Sequence, residues 1–539
     1  MGDEIFIFAS GRERSAQGRT SQAQRYLTAQ RSLPTPFHRR FLSLVRHIES
    51  HFSVAAWKLD DVEIWPLARM DLYLDMYWAN VGGPLPAGRS FPARAVSSAL
   101  TPLTNLWKSR RDLANLVIRP KPAHAIFLGD GVSLDRIDGA WQDRYSEPLI
   151  EALERRGLNA LLMQSGDLSR LPWHRPTFAA NVIGVRGSLS RLWTTPSVEL
   201  PEFSQVLQFL SQNGVRTPSL SARRLARRAA TVAATAAAFE RVLRIVRPKL
   251  AFVVTYYSGL APAFLVACRR QCVLSIDLQH CPQEGAHKAY GWCAVPDAGY
   301  ATLPAVFWNW TMREAADIKR WTDALPLPWH RSLHGGHVQL SSYLDDSDST
   351  TKAWDAKFSS LGKPASFERE ILVALQPVGG FREQWDALAA GIQSAPPGWR
   401  WWIRRHPAAA AYQDAEYARL VSLRAPNVMV EESSTLPLPA LLRHMSVVVS
   451  RFSGAAAEGA ILGVPSLFLS EEARGQFSDL IERGFASVVE IDGLNAAIAR
   501  LPAITARPAS EPLPDLDGTL LRLEGMAGEY GQLCLGVKK

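Results

Sequence analysis

One stretch constrains this chain more than any other: the run Ser446-Val447-Val448-Val449-Ser450 together with the turn and helix after it. A short β-branched run bounded by polar residues reads as a buried strand. A tight polar turn, Arg451-Phe452-Ser453-Gly454, comes next. A helix of small residues then runs from Ala455 to Leu462 and is stopped by Gly463-Val464-Pro465. This is the strand–turn–helix unit of an open α/β sheet. The turn sets backbone N–H groups and the hydroxyls of Ser450 and Ser453 at a helix N-terminus, where an anion is favoured. Glu458 lies one turn into the helix, and a carboxylate there can accept both hydroxyls of a ribose. Phosphate on the N–H groups and ribose on the acid are the two halves of nucleotide binding in an open sheet. The competing reading is capping by Ser450 and Ser453, with Glu458 a solvated first-turn acid. The glycines here do not form a dinucleotide fingerprint.

At 539 residues the chain is long enough for two or three domains, and 47% hydrophobic residues suffice for large cores. Its 60 Lys and Arg side chains against 51 Asp and Glu leave a net charge of +9. That is modest for this length, and without aromatic-rich basic repeats it points away from nucleic acid. It suits anionic substrates or the cytoplasmic face of a membrane. The cysteines are Cys268, Cys272, Cys281, Cys293 and Cys534, an odd number without framework spacing, as expected of reduced cytoplasmic thiols. Cys268 and Cys272 lack further ligands, and His280-x6-His287 has no third ligand close in sequence, so no metal is expected. The apolar patch Ile5–Ala9 is too short for a signal peptide, and no apolar run reaches a membrane span. The expectation is a cytoplasmic protein, with contact to the inner membrane or assembly proteins only at its surface.

Residues 1–118 read as a mainly helical extension, with amphipathic helices at Phe37–Phe52 and Leu103–Val117. A strand–helix rhythm begins at Ala123 and defines a first Rossmann-like domain over residues 119–340. Its elements include the strand Ala123–Leu128 and a helix Tyr145–Arg156 with Pro148 near its start and Gly157 ending it. A long helix capped by Ser221 runs through Val246 and is broken by Pro248, and the strands Leu250–Thr255 and Val273–Asp277 come after it. Residues 341–366, with Asp345-Asp346-Ser347-Asp348, read as a polar linker. A second Rossmann-like domain is expected over 367–505, and a tail with a helix over 506–539. Two such halves imply a cleft between them as the default binding site. The first domain carries its own chemistry on the loop Gln279–His287, beyond a strand end. There Asp277, His280, Glu284 and His287 can bind or activate a hydroxyl. Asp130, on the exit loop of the first strand, is a further base candidate. The bland reading is that Asp277 and His280 satisfy loop backbone groups.

Three passages resemble bacterial GT-B-fold glycosyltransferases and glycosyltransferase-like proteins of capsule and lipopolysaccharide synthesis. The first is Tyr145-Ser146-Glu147-Pro148-Leu149-Ile150-Glu151-Ala152-Leu153. The second is Tyr256-Tyr257, then Asp277-Leu278-Gln279-His280 and His287-Lys288-Ala289-Tyr290. The third is Leu375-Gln376-Pro377, Arg405-His406-Pro407 and Ser453-Gly454-Ala455-Ala456-Ala457-Glu458-Gly459 with Gly463-Val464-Pro465-Ser466. The resemblance runs from about Ala123 to Glu490. It implies a metal-independent enzyme without a cofactor that moves a sugar from a nucleotide-sugar donor to a surface-glycan acceptor. By that resemblance Arg405, His406, Ser450, Ser453, Gly454 and Glu458 would hold the donor. Tyr256, Tyr257 and His287 would meet the acceptor, and Asp277, His280, Glu284 and Asp130 are the base candidates. Two positions depart from the pattern: Cys281 stands where glycine is expected, and Gly459 where alanine is. Three alternatives share the architecture: a sugar-nucleotide epimerase, a polyol-phosphate transferase, and a non-catalytic scaffold of polysaccharide assembly.

Overall fold

The computed structural model describes residues 37–80, 116–117, 119–137, 139–165, 172–190, 197–283, 287–361, 367–375, 382–405, 425, 427–501 and 513–537. The chain divides into two compact units, an N-terminal one of Phe37–Val338 with Pro514–Lys539, and a C-terminal one of Gln339–Leu513. Both are built on parallel sheets, the α/β class expected, and the N-terminal segment is helical where described.

The N-terminal unit holds eight parallel strands: β1 (Leu116–Val117), β2 (Ala125–Gly129), β3 (Ala160–Gln164), β4 (Thr177–Ala179), β5 (Leu250–Val254), β6 (Leu274–Leu278), β7 (Val306–Asn309) and β8 (Arg331–His334). Their order across the sheet is β8-β7-β6-β5-β2-β3-β4-β1. Chain order therefore reverses between β2 and β5, and that reversal opens a crevice at their carboxyl ends. β2, β5 and β6 are buried at every residue, as expected of strands covered on both faces. Phe127 and Phe252 stack across the reversal at 4.5 Å.

The local signals that stop and start helices are realised here. Asp143 Oδ1 accepts the N–H groups of Tyr145 (3.2 Å) and Ser146 (2.9 Å), capping the helix Ser146–Arg155, and Gly157 leaves it at φ +72°. Ser221 Oγ accepts the Arg224 N–H at 3.3 Å to cap the helix Ala222–Val246. The helix Leu516–Val537 belongs to the N-terminal unit, packing against β5 and β6. Glu524 there meets His124 at 3.5 Å and Arg156 at 3.2 Å.

Helices α1 (Phe37–His51) and α2 (Trp65–Asn80) pack into the same unit. Arg69 on α2 is fully buried. It donates to Glu49 Oε1 on α1 (2.7 Å) and to the carbonyls of Lys288 (3.1 Å) and Gly291 (2.6 Å), with its guanidinium 4.1 Å over Trp292. The helix expected at Leu103–Val117 lies outside the described residues except for its last two, and these form the edge strand β1. Two branched apolar residues read equally well as a helix end or a strand, and pairing with β4 decides.

The C-terminal unit orders six parallel strands as β11-β10-β9-β12-β13-β14. These are β9 (Arg369–Ala374), β10 (Trp399–Arg404), β11 (Val428–Met429), β12 (Val447–Ser450), β13 (Ser466–Phe468) and β14 (Ala486–Val488). Here the reversal falls between β9 and β12. Trp401, Ile403, Ile371, Val447 and Val449 share one core cluster. On the opposite face, Glu370 accepts from Arg400 (2.9 and 2.5 Å) and from Trp402 Nε1 (2.7 Å). The segment 341–366, expected as a polar linker, holds much of the helix Val338–Leu344 and the helix Ser349–Leu361. The second helix buries Trp354 and Phe358, four residues apart on one face. Phe358 stacks on His444 at 3.9 Å, and Asp355 accepts from Arg443 at 3.1 and 2.9 Å. The acidic run only forms the turn between the two helices. Among the described residues, no helix is long and apolar enough to cross a membrane.

Candidate functional site

The carboxyl edge of the N-terminal sheet gathers five of the residues singled out in the sequence. Asp277 lies in β6, between Val253 of β5 and Phe307 of β7, and is 0% exposed. Its Oδ1 accepts the Tyr256 N–H at 3.1 Å and its Oδ2 accepts the Tyr290 hydroxyl at 2.8 Å. Burial pushes its pKa up to about 7, against the opposing pull of His280 and of these two hydrogen bonds. The residue just before Tyr256, Thr255, directly beyond β5, has φ +60°, a conformation unfavourable for a β-branched side chain. Asp277 therefore braces a strained turn at the chain reversal, and that turn carries Tyr256 and Tyr257. The Tyr256 hydroxyl donates to the Ala289 carbonyl, which also receives Trp292 Nε1 at 2.9 Å.

His280 comes next, on the exit loop. Its Nε2 lies 3.4 Å from the Tyr257 hydroxyl and 3.5 Å from Cys281 Sγ, and its carbonyl receives the Tyr145 hydroxyl at 3.2 Å. His287 closes the other side, with Nε2 3.7 Å from the same sulfur and its ring centroid 4.8 Å from that of Tyr290. Asp277, His280, Tyr256, Tyr257 and His287 thus form one cluster, joined by Cys281 and Tyr290. Because Asp277 is enclosed and its two oxygens are engaged, His280 and His287 are the members better suited to meet a ligand.

The loop is anchored from below by groups that sequence reading did not single out. Glu314 accepts from Gln279 Nε2 (2.6 Å), the Gln283 N–H (2.9 Å) and the Thr311 hydroxyl (3.0 Å), and burial lifts its pKa to about 7. Thr311-x-x-Glu314 has the spacing of a capping box at the start of the helix Met312–Thr322, and that spacing was the available signal. Lys288 is also buried, its Nζ 4.7 Å over the Tyr73 ring and 5.6 Å over that of Tyr257, and burial pulls its pKa down to about 7. No local pattern marks a lysine for burial.

Asp130 stands apart in role. Its Oδ1 accepts the N–H groups of Val132 (2.8 Å) and Ser133 (2.9 Å), and its Oδ2 the Ser133 hydroxyl (3.0 Å), so it builds its own turn. Near it, buried Asp143 is pushed up to about 6 by burial and then by the Asp130 charge. Glu284 and His406 lie outside the described residues.

In the C-terminal unit, Ser450 ends β12 at the chain reversal, and Ser453, Gly454 and Glu458 lie on the turn beyond it and on the helix Ala455–Ile461. Ser450 Oγ accepts the Ser453 N–H at 3.1 Å and Ser453 Oγ accepts the Ala455 N–H at 3.3 Å. Ser453 therefore holds the first N–H of the helix, while Ser450 braces the turn before it. An anion binding there would exchange these hydroxyl bonds for its own. Glu458 is only 7% exposed, so it is not the solvated first-turn acid of the bland reading. Gly459, the departure from alanine, has a packing reason: a Cβ there would stand 3.3 Å from Val448 Cγ2 and from the Val464 carbonyl. Arg405 directly succeeds β10 and is partly buried. Among the described residues, the one group of carboxylates and histidines drawn within 4.8 Å is Glu147, Glu151 and His174. Arg175 already pairs with Glu147 there, donating to it at 2.9 Å.

No family model matches this chain, and no curated protein matches it. Among solved structures it is similar to UDP-GlcNAc 2-epimerase from Methanocaldococcus jannaschii (10% identity, TM-score 0.44, covering 75% of this chain and 99% of that one). It is also similar to UDP-GlcNAc 2-epimerase from Neisseria meningitidis bound to UDP-GlcNAc (14%, 0.45, 75% and 99%). The glycosyltransferase SnogD from Streptomyces nogalater is a third (14%, 0.34, 77% and 98%).

Proposed function

We propose that this protein is a GT-B-type glycosyltransferase that moves a sugar from a nucleotide-sugar donor to a bacterial surface-polysaccharide acceptor. The observation that carries the reading is Glu458: a buried carboxylate one turn into the helix beyond the central strand, at the chain reversal of a parallel sheet. Open α/β sheets bind nucleotides at such reversals, and an acid there suits ribose hydroxyls. In this reading the turn Ser450–Gly454 and Arg405, with His406, take the phosphates. The exit loop of β6 takes the acceptor, with Tyr257 and His287 as contacts.

The reaction needs a base for the acceptor hydroxyl and stabilisation of charge on the departing nucleotide phosphate. His280 is the base this geometry favours, since it sits within reach of Tyr257 and is braced through Tyr145. Asp277 acts behind it, fixing the turn and the Tyr290 hydroxyl. As the acceptor oxygen attacks the anomeric carbon, its proton passes to His280 and the bond from that carbon to phosphate oxygen breaks. Arginine and backbone N–H groups then meet the charge on the leaving group.

Calorimetric titration of UDP, GDP, CMP, CDP and their sugars tests the donor half. One nucleotide class is expected to bind, and Glu458→Ala to weaken it roughly 10- to 100-fold, the worth of a charged hydrogen-bond pair. Binding unaltered in that variant, or no nucleotide binding to folded protein, refutes the assignment. Conversion of a bound UDP-sugar to its epimer without acceptor would move the function to the epimerase alternative.

A further inference from the structure

Cys281 stands where the resemblance leads one to expect glycine, and the structure gives it a distinctive setting. The residue is partly buried on the exit loop of β6, and its sulfur stands between two imidazoles, 3.5 Å from His280 Nε2 and 3.7 Å from His287 Nε2. The Tyr257 hydroxyl lies 3.4 Å from the same Nε2 of His280, and the Ala289 N–H meets Nδ1 of His287 at 3.2 Å. That bond makes His287 Nδ1 the acceptor, so its proton sits on Nε2, facing the sulfur. These three side chains are not among the groups drawn within 4.8 Å of one another, so the imidazoles flank the sulfur rather than converge on a common ion. His287 thus offers an N–H to the sulfur, and His280 offers a second whenever its Nε2 carries a proton, a state in which the Tyr257 hydroxyl accepts from or turns away from that nitrogen.

We propose that Cys281 is a reactive thiolate, held by His280 and His287, whose reaction partners are small peroxides and soft carbon electrophiles. In the peroxide reaction the sulfur attacks one peroxide oxygen and the O–O bond breaks. The departing hydroxide takes up a proton from solvent and leaves as water. Sulfur loses the two electrons that the peroxide gains, and the product is a sulfenic acid. The other thiols lack this setting. Cys268 and Cys534 are buried, and Cys293 is pushed up to about 12 by burial and by Glu49, whose carboxylate receives its thiol at 3.0 Å. Burial also raises the Cys281 thiol, but His280 and His287 outweigh it and bring it to about 6. The other titratable groups facing it are Asp277, Glu314 and Tyr290, with Tyr257 behind His280. It needs no nucleotide-sugar activity, but it shares His280 with the base role proposed above: the base needs Nε2 unprotonated and the thiolate needs it protonated, so the two describe different protonation states of one ring.

The distinguishing measurement is the pH profile of the rate, because a low-pKa thiolate is more abundant but intrinsically less nucleophilic. Site-resolved mass spectrometry of iodoacetamide labelling on the native full-length chain, from pH 5 to 9, reads it directly. Cys281 should label half-maximally near pH 6. An unstructured cysteine peptide should do so near pH ~8.5. The two rates should cross: Cys281 is faster by about tenfold at pH 6 and several-fold slower above about pH 8.5. His280→Gln and His287→Gln should each move the midpoint upward by roughly one unit or more. Dilute hydrogen peroxide should give a dimedone-trappable sulfenic acid at Cys281 first. A midpoint above pH 8 in the parent protein, or a Cys281 that stays unlabelled while Cys272 reacts, would overturn the proposal. So would stoichiometric zinc(II) binding that is lost in Cys281→Ser.

Discussion

Replacing Asp277 by Asn isolates the charge behaviour of the cluster. The Asn oxygen can still accept the Tyr256 N–H and its NH2 can donate to the Tyr290 oxygen, so the shape of the turn survives while the titration disappears. In the parent, burial raises this carboxyl from 3.8 to about 7. A carboxyl whose folded pKa lies above its unfolded one stabilises the fold at low pH. That contribution is lost as pH rises through the folded value. At pH 5 the folded parent keeps its proton and the unfolded chain has released it; at pH 8 both are ionised. Two pH units of this difference, at about 1.4 kcal/mol each, amount to about 3 kcal/mol. The assay is urea unfolding of parent and variant side by side at pH 5, 6, 7 and 8. Taking the difference between the two proteins cancels the parallel contributions of Asp143 and Glu314. The parent should lose about 3 kcal/mol relative to the variant between pH 5 and pH 8. A difference that stays flat across that range would refute the reasoning, because Asp277 would then be ionised in the fold throughout.

Two further substitutions probe what holds the cluster in place. Arg69→Ala leaves Glu49 buried without its cation and removes two bonds to the 288–291 loop, which should cost about 3–5 kcal/mol in denaturant unfolding and speed amide exchange in that loop. Gly129→Ala should cost roughly 2–4 kcal/mol, since a Cβ there overlaps the Gln164 amide and stands 2.5 Å from Asp143 Oδ2, breaking the 2.7 Å bond between those two side chains. A melting temperature equal to the parent's would contradict the packing seen at the β2 end.

The fold was legible in the sequence wherever a strand is buried on both faces. Leu250–Val254 and Val447–Ser450 are apolar without alternation because parallel strands have no wet side, and Ser221, Pro248 and Gly157 mark helix ends by local chemistry alone. The site was legible as a list of reactive residues on one exit loop. What they bond to was not, because Tyr145, Glu314 and Arg69 reach the loop from other elements, and no periodicity encodes such tertiary pairing. The same limit explains the 341–366 segment: its acidic run masks the spaced pair Trp354 and Phe358, and Phe358 is buried because Trp402 and His444 stack on it. The serines at Ser450 and Ser453 show the converse, where both sequence readings agreed on position and the structure distinguishes their present bonds.

Buried ionisable groups are gathered in one part of the molecule. Asp143, Asp277, Glu314 and Lys288 are all buried on the N-terminal unit, and Asp277 and Glu314 stand beside Cys281 at its carboxyl edge. A fold that needed only stability would place apolar side chains at such positions, since ionisable groups lose several kcal/mol of hydration on burial even when paired. Each of these groups is instead brought to a pKa within reach of neutrality, at about 6 or 7, by the same burial that makes it costly. Groups poised there can exchange a proton with little driving force near neutral pH. Ionic networks that are purely structural, such as Glu370 with Arg400, satisfy charge by direct opposite pairing. The Asp277 and Glu314 carboxylates accept from neutral donors, Tyr290, Gln279 and Thr311, and these bonds only partly offset the upward push of burial.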